Sequence, residues 1–150
     1  MKGKVKLLLT GGFKKNDLDG LYRLSRKYNL NEIVQVLGFV TDTQLQTLIS
    51  NAECLIFPSV FEGFGMPVLE AMTLGCPVVC SNAASLPEIA GNAALYFDPF
   101  CEDELISIVD RILNGFDKQS LIERGYENAS RFSWNNTFHN TLKGYFQLLQ

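Results

Sequence analysis

No lysine or arginine occurs between Tyr28 and Asp110, although the chain has 150 residues and 13 basic side chains. Eleven acids occupy that stretch: Glu32, Asp42, Glu53, Glu62, Glu70, Glu88, Asp98, Glu102, Asp103, Glu104 and Asp110. With a formal net charge of −3, this argues against nucleic acid as a partner. An anion bound by the stretch must be held without side-chain cations from it. Long apolar runs are lacking as well. None approaches the roughly 20 uncharged residues that span a bilayer, and residues 5–9 after Met1-Lys2-Gly3-Lys4 are too few for a signal peptide. The expectation is a soluble, cytoplasmic protein.

Metal and disulfide chemistry find little support. Cys54, Cys76, Cys80 and Cys101 include no C-x2-C pair. Cys76 and Cys80 flank a strand-like Pro77-Val78-Val79, and four strand residues separate their Cα atoms by about 13 Å, beyond disulfide reach. All four read as small buried hydrophobes. The single histidine, His139, sits on a terminal helix near Phe138 and Leu142 and reads as a surface or packing residue. Gly11-Gly12 lacks the G-x-G-x-x-G spacing of a dinucleotide site, which leaves a dehydrogenase poorly supported. Asn135-Asn136-Thr137 fits a glycosylation sequon, but nothing points to secretion.

What is present is a series of short apolar strands alternating with helical patterns. Strands are expected over residues 4–10, 33–37, 54–57, 77–80 and 94–97. Helices are expected over residues 16–28, 42–51 and 67–74, in a short segment from Ser85, and over 102–114, 117–131 and 133–149. Asn16 is a candidate cap for the first helix, whose Leu18, Leu21, Tyr22 and Leu24 share a face. Thr41 and Gln44 form a capping box for the second, with Leu45, Leu48 and Ile49 inward. Pro67 suits a first turn and Gly75 a C-terminal cap. Phe132, Trp134, Phe138, Tyr145 and Phe146 are expected to pack the terminal helices. Five short strands, four of them without charge, separated by helices, imply a Rossmann-like open parallel sheet with helices on both faces, in one domain. Ligands of such sheets sit beyond the strands' carboxyl ends.

Between Cys54 and Cys80 the only charges are Glu62 and Glu70. Val68, Leu69, Ala71, Met72 and Leu74 surround Glu70 on its helix, so no face is plainly solvent and the carboxylate is expected to point into something. Either it is wet on an edge helix or bonded to a backbone N–H, or it awaits a donor from a ligand; Asn, Ser or a distant Arg could also partner it. Glu62 lies on the loop after the third strand, before Gly63-Phe64-Gly65. Glycines there allow close backbone approach, and the N–H groups opening the next helix form a positive pole suited to phosphate. Two carboxylates would repel a phosphate, but each can accept from a vicinal diol. A ligand carrying sugar, pyrophosphate and ribose in sequence offers diol, anion, diol. A retaining-glycosidase pair is the rival use, and nothing local aims both carboxylates at one bond.

The run from Glu62 through Gly63-Phe64-Gly65-Met66-Pro67-Val68-Leu69 to Glu70-Ala71-Met72, followed by Gly75-Cys76-Pro77-Val78-Val79, resembles the two-glutamate signature of family-four retaining glycosyltransferases of the GT-B fold. Gly38-Phe39-Val40, Pro58-Ser59, Leu86-Pro87-Glu88 and Phe132-Ser133-Trp134 resemble the C-terminal domain of that family in order and spacing. The resemblance implies the nucleotide-sugar donor-binding half of a glycosyltransferase, acting in polysaccharide or lipopolysaccharide biosynthesis. It makes Glu62 the catalytic-site glutamate that meets the donor sugar's hydroxyls. Gly63, Phe64, Gly65 and Met66 would present backbone N–H groups to the sugar and β-phosphate, Glu70 would hold the ribose diol, and Gly38, Phe39 and Val40 would line the base.

Residues 85–98 look most like the mannosyltransferase-like branch, which favours GDP-mannose and leaves UDP-sugars open. The resemblance implies no obligatory metal and no cofactor besides the sugar nucleotide. The acceptor, a glycan or a lipid-linked sugar, would be held by an N-terminal domain absent from these residues. So is the family's first loop of this domain, with its Arg and Lys; Lys14 and Lys15 read rather as a solvated pair. Preorganised positive groups at the departing diphosphate are the main electrostatic lever of such a transfer. The isolated 150 residues are therefore expected to bind donor weakly and to transfer no sugar. Attachment to the inner face of a membrane is left undetermined. The alternative is a noncatalytic Rossmann-like nucleotide-sugar-binding or interaction module.

Overall fold

A computed structural model describes residues 5–148. The elements, in order, are β1 (Leu7–Thr10), α1 (Lys15–Lys27), β2 (Val34–Gly38), α2 (Asp42–Ser50), β3 (Leu55–Phe57), α3 (Met66–Thr73), β4 (Val78–Ser81), α4 (Leu86–Ala90), β5 (Ala94–Phe97), α5 (Glu102–Leu113), α6 (Lys118–Ser130) and α7 (Trp134–Leu148). Every strand pairing is parallel. Among the described residues the pairings form a two-stranded sheet, β1-β2, and a three-stranded sheet, β3-β4-β5. The chain divides into two compact units, Met1–Leu45 and Gln46–Gln150.

In the first unit, β1 pairs with β2 from Leu7↔Val34 to Thr10↔Gly38, and the register shifts at Leu9/Thr10. Gly38 turns with φ +68° and its carbonyl accepts from Gly11 N–H at 2.8 Å. The central-strand burial expected of such apolar runs is absent here: Leu7 and Leu8 are about two-fifths exposed, and among the described residues β1 pairs with β2 alone. Two further expectations for α1 need correction. Its N-cap is Lys14 rather than Asn16, with no side-chain cap bond, and Tyr22 and Leu24 are exposed. Ser25 is the residue α1 buries, and its hydroxyl donates to Asn31 Oδ1 at 3.2 Å.

The capping box of α2 forms as read. Thr41 N–H donates to Gln44 Oε1 at 2.9 Å, and Gln44 N–H donates to Thr41 Oγ1 at 3.3 Å.

The core belongs to the second unit. β4 lies between β3 and β5, and all four of its residues are buried. The pleat sends Val79 to one face and Val78 and Cys80 to the other. Val79 packs with Phe97 and with Ile108 and Ile112 of α5. α3 packs on β3 and β4 and is itself backed by α6. Gly125 of α6 lies at that contact, where an added Cβ would stand 3.4 Å from Met72 Cγ. Buried Asn128 ties three helices together: its amide donates to Ile89 O at 2.8 Å and to Met72 Sδ at 3.4 Å, while its Oδ1 accepts from Arg131 at 2.8 Å. Among the described residues no buried side-chain nitrogen or oxygen lacks a partner.

α3 ends as Gly75 predicts. With φ +70°, Gly75 donates to Met72 O at 3.1 Å and Cys76 donates to Ala71 O at 2.9 Å, a Schellman closure that returns the chain to β4. α7 departs from expectation. It buries no residue, and Trp134, Phe138, Tyr145 and Phe146 are all more than half exposed. A helix stabilises its terminal aromatics only where another element covers them, and among the described residues none covers this face.

Candidate donor site

Parallel strands place the carboxyl ends of β3, β4 and β5 along one edge, so the segments that follow them share it: residues 58–65, 82–85 and 98–101. Glu62, Gly63, Phe64 and Gly65 lie on the first, and Met66 opens α3. Glu62 is half-buried, whereas Phe64 and Met66 are exposed. Glu70 is exposed too, which corrects the expectation that its helix offers no solvent face. Val68, Leu69, Ala71 and Met72 are buried, and a narrow strip of Met66, Glu70 and Thr73 faces outward. The apolar neighbours pack on β4 and α6; the glutamate stands on the remaining strip with its acceptor oxygens free to meet a ligand.

Gly65 is the N-cap of α3, in the left-handed region at φ +104°, and no side chain caps the helix. A Cβ at Gly65 would come within 2.8 Å of Leu86 Cδ2, so backbone conformation and space both require glycine. The helix therefore opens on bare backbone, next to Glu62 on one side and one turn below Glu70 on the other.

Serine hydroxyls hold this loop in place. Ser81, fully buried at the end of β4, donates to Ser59 O. Ser59 Oγ donates to Phe61 O at 3.1 Å. Ser85 Oγ reaches both Glu62 O and Phe64 O at 3.0 Å. The loop's far side rests on the turn that follows α6: the Phe64 ring meets Phe132 edge to face at 5.8 Å, and the Arg131 guanidinium lies 5.4 Å over Phe132. Sequence reading assigned Phe132 to packing among the terminal helices and Ser85 to the start of a short helix. Contacts that join residues 21 to 23 positions apart leave no local signal.

Gly38, Phe39 and Val40 belong to the first unit. Gly38 ends β2, Phe39 is 88% exposed, and Val40 is half-buried. The Phe39 ring covers Gly12, where a Cβ would stand 2.9 Å from Phe39 Cζ. Lys14 and Lys15 are exposed, as read.

The four cysteines are free. Burial pushes the Cys76 thiol up to about 11 and the Cys80 thiol up to about 12, and it raises Cys54 as well. The small-hydrophobe reading holds for Cys76 and Cys80, which are buried, whereas Cys54 and Cys101 are half-buried. Among the described residues no group of three or more His, Cys, Asp or Glu side chains could hold a metal ion. No helix among them is long and apolar enough to cross a membrane.

The second unit thus joins a parallel sheet to a glycine-entered helix at its carboxyl edge, with Glu62 before that entry and Glu70 one turn beyond it. Residues 1–128 match the Glycosyl transferases group 1 family, and the chain belongs to it. It is 37% identical over 142 residues to the O-antigen chain mannosyltransferase B of Escherichia coli, an alignment spanning 92% of this chain and 36% of that relative. Among solved structures, sucrose-phosphate synthase from Thermosynechococcus elongatus superposes with a TM-score of 0.82 at 28% identity, covering 96% of this chain and 38% of that one. Anabaena HepE in complex with UDP-glucose shares the fold at a TM-score of 0.80 and 24% identity, over 95% of this chain and 42% of its own. The chain thus spans little more than a third of the length of these proteins.

Proposed function

We propose that these residues form the nucleotide-sugar-binding part of a retaining hexosyltransferase that takes mannose from GDP-mannose for a cell-surface polysaccharide or lipopolysaccharide. One observation carries the reading: α3 opens without a side-chain cap at the carboxyl edge of the β3-β4-β5 sheet, with Glu62 on the loop before it and Glu70 exposed one turn into it. The helix pole and the Gly63 and Gly65 N–H groups suit the diphosphate. Glu62 then meets the sugar hydroxyls and Glu70 takes the ribose diol bidentately. Positive backbone dipoles stabilise the charge that grows on the leaving nucleoside diphosphate, and no step of this scheme requires a metal.

The mannose assignment is supported by a relative named as a mannosyltransferase at 37% identity. The fold neighbour HepE, in complex with UDP-glucose, supports a sugar nucleotide as the ligand class and keeps UDP-sugars in the test. The acceptor, a glycan or lipid-linked sugar, and a cytoplasmic place of action belong to the same proposal.

Calorimetric titration with GDP-mannose, UDP-glucose, GDP, UDP and NAD, repeated on Glu70→Ala, tests it. One sugar nucleotide is expected to bind, and the substitution to weaken it by roughly 1 to 3 kcal/mol, the worth of a charged hydrogen bond. Binding that ignores Glu70, or tight binding of NAD, would overturn the assignment. No binding by any of the five would leave the noncatalytic interaction module as the better reading.

A further inference from the structure

The structure assigns Ser85 as the positioning residue of the donor loop, an inference that rests on the donor-site reading above. Ser85 is the N-cap residue of α4, where a serine ordinarily accepts from its own helix. It makes no such bond. Its hydroxyl is instead directed at the carbonyls of Glu62 and Phe64, both at 3.0 Å.

In a trans peptide the C=O and N–H lie in one plane and point in opposite directions, and no described peptide is cis. Turning the Glu62 carbonyl toward Ser85 therefore turns the Gly63 N–H away from it. Turning the Phe64 carbonyl toward Ser85 does the same for the Gly65 N–H. Neither N–H donates to another backbone group among the described residues. One side-chain hydroxyl, its single proton shared between the two carbonyls, thus turns both N–H groups away from Ser85, the exposed Gly63 and the buried Gly65 alike. Ser81, through Ser59 O, anchors the loop's near end, so that Ser85 controls a segment tethered on both sides. Preorganised donors of this kind stabilise developing charge without reorganising during the reaction.

The test uses four forms of the full 150-residue chain: wild type, Ser85→Ala, Ser85→Thr and Ser85→Val. Threonine keeps the hydroxyl; valine has threonine's shape without it. Thermal unfolding establishes that each variant is folded, and the Thr/Val pair carries the comparison if Ser85→Ala is not. Amide order parameters at Gly63 and Gly65 are expected to fall from about 0.85 toward the flexible range below about 0.6 in the Ala and Val forms, and to be restored in the Thr form. Affinity for GDP-mannose and GDP should fall about three- to tenfold in the same two variants and recover with threonine. Unchanged order parameters in the Ala and Val forms would overturn the hydrogen-bonded orientation whatever the ligand result. Loosened amides with unchanged GDP-mannose and GDP affinity, while Glu70→Ala still weakens binding, would overturn the positioning role and leave the donor site intact. Failure of the wild type to bind any sugar nucleotide overturns both readings together, and the relaxation data would then report the loop's geometry alone.

Discussion

At the scale of single residues, charge and burial separate along the sequence in an unusual way. The central stretch has no cations, and among the described residues neither Glu62 nor Glu70 forms a salt bridge. The one ion pair among the described residues, Lys118 with Glu53, joins a flanking lysine to an acid outside the site. Buried thiols have a consequence for stability. Below about pH 9 both folded and unfolded chains keep their thiol protons, and the raised groups change nothing. As the pH rises past the ordinary value of 9.0, the unfolded chain releases protons that Cys76 holds to about 11 and Cys80 to about 12. The unfolded state is then favoured, so stability falls on the alkaline side, by up to about 1.4 kcal/mol per pH unit for each thiol. Urea unfolding followed from about pH 8 to about pH 11 should show this decline, and Cys80→Ala should flatten it. A slope unaffected by the substitution would place the titrating groups elsewhere.

At the scale of elements, α3 is the piece on which the rest depends. Its start must leave backbone donors open, and its end must return the chain to β4 within a few residues. Glycine solves both problems, for different reasons. Gly65 avoids Leu86 and takes φ +104°, while Gly75 closes the helix at φ +70° against the Tyr126 hydroxyl. Gly75→Ala should cost about 1 to 2 kcal/mol from the left-handed backbone alone, and more from its collision with Tyr126. Tyr126→Phe removes the nearest colliding atom, so the double variant should lose less than the sum of the two single changes in urea unfolding. Strict additivity would show that Tyr126 moves aside freely.

Across the whole molecule, protection from solvent is uneven. Among the described residues of the first unit, Ser25 alone is buried. β4 in the second unit is buried throughout. Native-state hydrogen exchange should therefore protect the amides of Val78–Ser81 most and those of Leu7–Thr10 least, because opening free energy follows buried apolar contact. Equal protection of β1 and β4 would refute that ordering. The chain spans 36% of the length of the mannosyltransferase it resembles, and donor recognition is the property by which to test the proposed function.

The alternation of apolar strands with amphipathic helices determined the fold class, and all five strands and the main helices lie within a few residues of where periodicity, capping chemistry and turn residues place them. Thr41 with Gln44 and Gly75 were legible because their partners lie within one turn of helix. The site's two glutamates were legible because charge in an apolar window has few explanations. Which way they face was not. Glu70 is exposed because α3 uses the rest of its circumference against β3, β4 and α6. The grip of Ser81 and Ser85 on the loop, the seat of Phe64 on Phe132, and the bare aromatic face of α7 were likewise decided by tertiary structure. Period and capping are local physics written in consecutive residues; a hydroxyl's choice of carbonyl depends on which distant segments the sheet brings to one edge.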